Sequence, residues 1–223
     1  MIKITGKTAT KKLLIRKSMA KLFQSFVYSK LPAIEHLGYQ SKSGKVFKSM
    51  NFKIEYKENE FIIFYSALNK KYEELIALEI LQNGLKLGEV KFPSITLEVI
   101  QREVDENINE LNVRGYVVAA MKNKLTGKKI YLQPGDPRHN ELITKHTLDK
   151  YQTLLQKEYK GKLEIIPTWQ SQKEKIFYYD KGISSAWLAT YTIKANSLML
   201  NLILNTGLGA ESMQNLGFVE VNK

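Results

Sequence analysis

The sequence predicts an α+β protein of two tandem ferredoxin-like domains, each with the element order β-α-β-β-α-β. Three observations support this fold class. Apolar side chains change between a period of two and a period of about 3.6 in that order, the order occurs twice, and an acidic, Asn-rich stretch at residues 103–112 separates the halves. The 223 residues suit two small domains, which we place at residues 1–110 and 111–223.

The first half carries clear signals for where its helices end and begin. Pro32 ends the first helix, whose apolar side chains recur at helical spacing. Asn69 and Gly84 are the expected N-cap and C-terminal glycine of the second helix. In order, the predicted elements are a strand at residues 2–6, a helix at 13–31, strands at 48–56 and 61–68, a helix at 70–83, and further strands between 85 and 101.

The second half repeats this order, with its first strand extended into a hairpin that turns at Thr126 and Gly127. Asp136 as N-cap, followed by Pro137 in the first turn, marks the start of its first helix. The predicted elements are hairpin strands at residues 113–121 and 128–132, a helix at 137–158, strands at 163–166, 175–179 and 186–193, a helix at 196–206, and a strand at 216–221.

Positive charge is concentrated at the beginning of the chain. The formal net charge is +12, from 34 Lys and Arg against 22 Asp and Glu. Residues 1–53 hold twelve of the basic residues and one acidic residue, Glu35, which amounts to +11. A solubilising surface explains a pI of 9.5 but not this asymmetry, whereas a polyanion-binding surface requires it. We therefore expect a nucleic-acid partner, bound mainly through its phosphates.

Composition and motifs argue against several classes of protein. Cysteine is absent, so no disulfide framework or thiolate metal site is expected, which is compatible with a reducing compartment. No segment approaches the ~20 apolar residues of a membrane span, and the N-terminus lacks the apolar core of a signal peptide, so a cytoplasmic location is expected. No phosphate-binding loop, dinucleotide fingerprint, HExxH motif or RNP1 motif occurs, and we predict no cofactor and no metal.

A glycine-rich segment follows the last, apolar helix and leads into the final strand. Gly207, Gly209 and Gly217 can adopt positive φ and let another chain approach closely. A helix C-cap followed by a tight turn is the alternative explanation. The helix before this segment carries a polar stripe formed by Ser197, Asn201 and Asn205. The stripe fits either contact with nucleic acid or a hydrogen-bonded seam between the domains.

The order of these features resembles that of a known family. The matching segments are Phe26-Val27-Tyr28, Glu35-His36-Leu37, Gly44-Lys45-Val46-Phe47, Leu148-Asp149-Lys150-Tyr151, Ser197-Leu198, Gly207-Leu208-Gly209 and Leu216-Gly217-Phe218. Together with the basic first quarter they resemble the CRISPR-associated endoribonucleases that cut precursor CRISPR RNA, in the repeat-associated RNA-binding superfamily. The resemblance covers nearly the whole chain. One position departs from the pattern, because Val219 stands where the family often has a further glycine.

The resemblance implies that the chain cuts CRISPR repeat RNA, single-stranded or folded as a stem-loop. It implies catalytic roles for His36, Tyr28 and Lys45, with Lys42 and Lys48 as rivals of Lys45. The implied RNA contacts are Lys17, Lys21, Lys42, Lys48, Gly207, Gly209 and Gly217. Other subunits of a CRISPR-associated complex and a second copy of the chain, as a homodimer, are compatible partners.

Such an enzyme can work without metal by using the RNA's own 2′-OH as the nucleophile on the adjacent phosphate. The reaction needs a base for the 2′ proton, an acid for the 5′ oxygen, and a cation for the charge that develops. His36 suits acid–base work because imidazole titrates near neutrality, and Lys45 would hold the phosphate. Tyr28 lies opposite the apolar face of the first helix, beside Lys17 and Lys21, and a large aromatic on this basic face near His36 indicates a functional phenol rather than a core residue. A tyrosine that merely lies over its own helix is the alternative.

The remaining titratable residues give weaker signals. His139 and His146 follow Pro137 on a helix and are expected to face solvent without a chemical role. Acidic pairs such as Asp105 and Glu106 lack the spacing of a two-metal nuclease. Two other functions stay open: a relative that only holds repeat RNA within a larger complex, and a basic DNA-binding or ribosome-associated protein.

Overall fold

The structure is a computed structural model that describes residues 1–7, 15–57 and 59–222. It has two halves, each built on a four-stranded antiparallel sheet with packed helices, and the predicted pair of ferredoxin-like units is confirmed. The predicted start of the first helix near Leu13 lies outside the described residues, as do Lys11 and Lys12. No helix in the described ranges is both long enough and apolar enough to cross a membrane.

The first half contains one sheet and two short hairpins. Its elements are β1 (Ile2–Lys7), α1 (Met19–Lys30), α2 (Ala33–Leu37), β2 (Tyr39–Gln40), β3 (Val46–Phe47), β4 (Met50–Lys57), β5 (Glu60–Ala67), α3 (Lys70–Asn83), β6 (Leu85–Leu87), β7 (Val90–Phe92) and β8 (Ser94–Val99). The sheet has the strand order β4-β5-β1-β8, while β2 pairs with β3 and β6 with β7. A strand beginning at Lys45 was expected and corresponds to β3, whereas helix α2 and strand β2 were not predicted, because elements of two to five residues are too short to show a period.

One face of α1 packs on the first sheet. Phe23 and Val27 are fully buried, and the ring of Phe23 lies 5.1 Å from that of Phe52 in an edge-to-face contact. Helix α1 begins at Met19, since residues 15–18 form a turn. The apolar spacing that predicted this helix is therefore the spacing of its buried face.

The second half has the same plan with two added hairpins. Its elements are β9 (Glu110–Tyr116), β10 (Ala119–Lys122), β11 (Lys129–Leu132), α4 (Pro137–Leu155), β12 (Glu164–Gln170), β13 (Lys175–Tyr179), β14 (Gly182–Ala186), β15 (Leu188–Lys194), α5 (Ser197–Thr206) and β16 (Val219–Val221). The sheet has the order β12-β15-β9-β16, while β10 pairs with β11 and β13 with β14. The predicted strand at 113–121 is thus divided between the sheet and a hairpin.

Local capping accounts for the helix ends. The side chains of Asn69 and Asp136 accept the backbone N–H two residues further on, at 3.2 and 2.9 Å, as the sequence predicts. Helix α4 ends at Leu155, three residues before the predicted end. The reason is local, because Gln156 adopts the left-handed conformation (φ 53°) that terminates a helix.

A polar seam joins the two halves. Asn205 of α5 is buried and accepts hydrogen bonds from Ser66 Oγ (2.8 Å) and Lys70 Nζ (2.6 Å) of the first half. Asn201, one turn earlier, bonds the backbone N–H and carbonyl of Val104 at 2.8 and 3.0 Å. Of the two explanations for the polar stripe on this helix, the structure therefore supports the seam at these two positions.

Candidate active site

Helix α2 presents His36 beside a tight turn. The helix ends at Gly38 (φ 85°), whose backbone N–H donates to the carbonyl of Ile34 at 2.6 Å. A Cβ on Gly38 would lie 2.5 Å from Val46 Cγ1 and 2.9 Å from the carbonyl oxygen of Phe47, so only glycine lets the β2–β3 hairpin approach. The His36 side chain is exposed. An imidazole on a short, closely held helix is placed to meet a substrate from solvent.

Tyr28 lies in the last turn of α1, against His36. The two ring centroids are 5.1 Å apart. Tyr28 is partly buried, and its hydroxyl is covered and has no hydrogen-bond partner among the described residues. Burial, with smaller contributions from Tyr179 and Glu35, raises the pKa of Tyr28 well above its usual range, so the phenol keeps its proton.

The basic face of α1 that carries Tyr28 is partly covered by other segments of the chain. Helix α2 covers this side of α1, and the β13–β14 hairpin of the second half reaches it as well. There the hydroxyl of Tyr179 donates to Gln24, one turn before Tyr28. The helical wheel correctly separated this face from the sheet, but it carried no information about which distant segments would cover it.

Lys48 is the lysine that joins Tyr28 and His36. Its Nζ donates to the carbonyl oxygens of His36 (2.5 Å) and Glu35 (3.3 Å) and lies 5.0 Å from the centre of the Tyr28 ring. Desolvation lowers the pKa of Lys48, and the nearby charge of Glu35 opposes this effect. The structure therefore brings together an imidazole, a phenol and an ammonium group.

Lys45 and Lys42, the other two candidates, lie towards α4. The Nζ of Lys45 is 2.9 Å from Asp149 Oδ2, and the neighbouring Phe47 packs on His146 with ring centroids 5.0 Å apart. Lys42 is exposed in the turn of the hairpin. Residues 45 and 47 extend to the side of the strand that faces α4, whereas residue 48 extends to the other side, because successive side chains of a strand alternate.

Ion pairs leave part of the basic first quarter uncompensated. Lys3, Lys7, Lys30, Lys45 and Lys53 each pair with an acidic side chain. Within the described ranges of this quarter, the basic residues without an ion pair are Arg16, Lys17, Lys21, Lys42 and Lys48. The charge that is available to a polyanion is therefore carried mainly by the start of α1 and by the segment around α2.

Lys17, just before α1, and Lys21, in its first turn, lie beside the β13–β14 hairpin. Their Nζ atoms are 5.0 and 5.3 Å from the ring centres of Tyr178 and Tyr179. This places a basic and aromatic surface between the halves, which can contact both phosphates and bases. The two tyrosines were missed by sequence reasoning, because only folding places their hairpin against a helix more than 150 residues away.

The three predicted RNA-binding glycines are buried and pack against the chain itself. Gly207, Gly209 and Gly217 have φ values of 84°, 72° and 74°. A Cβ on Gly209 would lie 2.5 Å from the carbonyl oxygen of Val118, and one on Gly217 would lie 2.6 Å from that of Leu208. In this structure they offer no surface to RNA, so their direct contact role is not supported. Their role is to let the loop pack closely within the protein.

Lys150 anchors the beginning of this loop. It is fully buried on α4, and its Nζ donates to the carbonyl oxygens of Thr206 (3.2 Å) and Gly207 (2.7 Å) at the end of α5. Burial lowers the pKa of Lys150 to about 7. The glycine-rich loop is thus held from one side by a side chain of α4.

The expectation that His139 and His146 face solvent was wrong. His139 is fully buried and stacks on Tyr191, with centroids 6.1 Å apart and a 7° angle between rings. His146 packs on Phe47, and burial together with Lys150 and Lys45 lowers its pKa to about 3. Helix α4 has neighbours on both sides, the second sheet and the β2–β3 hairpin, so its polar face is not a solvent face. No group of three His, Cys, Asp or Glu able to hold a metal ion occurs among the described residues.

The fold and the site define a basic, two-domain ferredoxin-like protein with a cluster of groups suited to proton transfer on an anionic substrate. Residues 116–221 match the family model described as CRISPR associated protein Cas6, C-terminal. The resemblance to the CRISPR-associated endoribonuclease family is thereby confirmed. No curated protein matches the chain in sequence.

Several solved structures share the fold along the whole chain. A Cas6-related protein from Pyrococcus furiosus has a TM-score of 0.75 at 13% identity, covering 100% of this chain and 98% of that chain. A RAMP protein described as binding different RNA substrates has a TM-score of 0.73 at 13% identity, covering 100% of both chains. A Cas6 product complex has a TM-score of 0.67 at 12% identity, covering 98% of each chain.

Proposed function

We propose that the chain is a Cas6-type endoribonuclease that cuts precursor CRISPR RNA within its repeats. The observation that carries this proposal is the cluster of Tyr28, His36 and Lys48, assembled from three separate segments at the edge of the uncompensated basic surface. The family match of the second half, the Cas6 product complex and the RAMP protein described as binding different RNA substrates support RNA as the substrate.

The proposed reaction is attack of a 2′-OH on the adjacent phosphate, which leaves a 2′,3′-cyclic phosphate and a 5′-OH. The exposed imidazole of His36 exchanges protons with the 2′-OH or with the 5′ oxygen. Tyr28 keeps its proton, so it acts as a hydrogen-bond donor that positions the reacting oxygen. Lys48 stabilises the charge that builds on the phosphate. None of these steps uses a metal ion.

We assign Lys45 and Lys42 to phosphate contacts outside the reacting centre. Both lie on the α4 side of the hairpin, and Lys45 exchanges its ion pair with Asp149 for a phosphate when RNA binds. Lys17 and Lys21 extend the RNA path along α1. The division into domains at residues 1–110 and 111–223, and association with a second copy or with other CRISPR-associated subunits, remain predictions.

A binding-only relative is the second candidate function. One observation favours it: the Tyr28 hydroxyl is covered, and Lys48 is bonded to main-chain carbonyls. The Tyr28 hydroxyl must therefore be uncovered when RNA binds, and Lys48 has only its third N–H left for a phosphate. A protein that only holds RNA would need no such rearrangement.

The test is single-turnover cleavage of an end-labelled CRISPR repeat RNA from the genome that encodes the chain, in EDTA. We expect cleavage with a 2′,3′-cyclic phosphate, and its loss when the nucleotide before the cut carries a 2′-deoxy sugar. His36→Ala should lower the rate by roughly 10²–10⁴-fold, the range for a general acid or base, with little change in RNA affinity.

Leu37→Ala is the matched control, because Leu37 is 70% exposed on the same short helix and should leave the rate close to wild type. A 5′-phosphate product or inhibition by EDTA would contradict the mechanism. Tight binding without any cleavage would support the binding-only function, and equal affinity for duplex DNA of the same sequence would contradict both.

A further inference from the structure

Glu35 is a buried acid in the most basic part of the chain. It is the one acidic residue among residues 1–53, it directly precedes His36, and its side chain is fully buried. Burying a carboxylate is costly unless its charge is compensated. A buried acid beside the proposed site therefore needs a physical reason.

The carboxylate is held by neutral donors rather than by an ion pair. Its Oε1 accepts from the hydroxyl of Tyr39 at 2.7 Å, and its Oε2 accepts from Ser49 Oγ at 2.5 Å. Within the described residues, no basic side chain forms a salt bridge with it. Ser49, which binds the carboxylate, directly follows Lys48, and the Nζ of Lys48 donates to the main-chain carbonyl oxygens of Glu35 and His36.

The groups around Lys48 include one negative charge. Tyr28 faces it from α1, and Glu35 and His36 face it from α2. Tyr39 of β2 and Tyr72 of α3 lie next to the carboxylate. The charge of Glu35 also contributes to raising the pKa of Tyr28 and Tyr39, so these phenols are neutral. The carboxylate of Glu35 is thus the single group of this cluster that can favour a charged Lys48.

We propose that Glu35 is a positioning residue for RNA cleavage: its buried carboxylate keeps the Lys48 ammonium charged and held against the backbone of α2, next to His36. The inference rests on the proposed function for its consequence in catalysis. The electrostatic coupling between Glu35 and Lys48 does not depend on RNA, so it can be measured in the free protein. Burial lowers the pKa of Lys48, and the charge of Glu35 acts to raise it. This direction is the one that the proposal requires.

The first experiment is the pH profile of single-turnover cleavage for Glu35→Gln, which keeps the shape of the side chain and removes its charge. We expect a rate close to wild type at the acidic end and an alkaline limb displaced to lower pH. The double variant Glu35→Gln with Lys48→Arg should recover the alkaline limb, because a guanidinium stays charged without a carboxylate. A purely structural role predicts a loss at every pH that arginine does not rescue, and this result would overturn the proposal.

The second experiment needs no activity. The titration of Lys48 is followed by NMR of ¹³Cε-labelled lysine in the RNA-free protein, in wild type and Glu35→Gln, with Lys48→Arg to assign the signal. We expect Lys48 to lose its proton at lower pH in Glu35→Gln; an unchanged titration would refute the coupling even if the enzyme is active. If the wild type cuts no RNA but the titration shifts, the proposed function fails and the coupling stands.

Two further variants keep the test decisive. Glu79→Gln removes an acid of the same half that pairs with Lys30 at 2.8 Å, and it should change neither the pH profile nor the Lys48 signal. If Glu35→Gln does not fold, Glu35→Asp takes its place. The aspartate side chain is one methylene shorter, which moves the charge back towards the backbone. It should displace the Lys48 titration in the same direction, and no displacement would overturn the proposal.

Discussion

The side chains of Lys48 and Lys45 extend to opposite sides of the same hairpin, and this difference predicts unequal effects on cleavage. Lys48→Ala removes a cation from the Tyr28–His36 cluster, and we expect the single-turnover rate to fall by about 10²–10³-fold. Lys45→Ala removes an exposed pair with Asp149, worth about 0–1 kcal/mol, and should leave the rate within a few-fold of wild type. A larger loss of rate for Lys45→Ala than for Lys48→Ala would indicate that Lys45 is the catalytic lysine.

The partly buried His146 on α4 predicts how stability depends on pH. The pKa of His146 is about 3 in the folded chain, whereas an unfolded histidine titrates near 6.5. Between these values the unfolded state binds more protons, so the free energy of unfolding falls as the pH falls from about 6.5 towards 3. Urea unfolding of His146→Gln should therefore show a shallower decline over this window. His36→Ala is the control and should decline as steeply as wild type; parallel curves for all three proteins would contradict the assignment.

The glycine-rich loop between α5 and β16 is stabilised by close packing of its backbone. Gly209→Ala places a Cβ 2.5 Å from the carbonyl oxygen of Val118 at positive φ, and we expect it to cost more than about 2 kcal/mol in urea unfolding. Gly44→Ala is the matched control. It has a similar φ of 79° but no atom within 4 Å of the new Cβ, so only the backbone strain of about 1–2 kcal/mol applies. Equal losses at both positions would show that packing of the loop is unimportant.

The net positive charge of the molecule comes mainly from residues 1–53, which include Lys17 and Lys21. Lys17→Ala and Lys21→Ala should weaken binding of repeat RNA, and removing one lysine–phosphate interaction should reduce the log–log salt slope by about 0.7–0.9. Lys194→Ala is the control, since this exposed lysine of β15 is 3.4 Å from Glu110. Binding measured by filter retention at several salt concentrations checks the prediction. Equal effects from Lys194 would contradict a localised RNA surface.

Local patterns along the chain were enough to predict the repeated element order, the helix caps, the position of the excess charge and His36 as a candidate site residue. Asn69 and Asp136 cap their helices as predicted, because capping involves residues only two positions apart. The apolar period of α1 likewise reports a buried face that is continuous along one helix. These are local properties, and the amino-acid order contains them directly.

Contacts between distant segments, by contrast, established which lysine lies beside Tyr28 and His36, that the Tyr28 hydroxyl is covered, and that His139 is buried and His146 partly buried. Each outcome depends on a segment that is distant along the chain, such as the β2–β3 hairpin against α4 or Tyr179 against Gln24. A helical wheel divides a surface into faces but does not say which faces acquire neighbours. Long-range packing assigns those neighbours, and burial then sets the pKa of each group it covers.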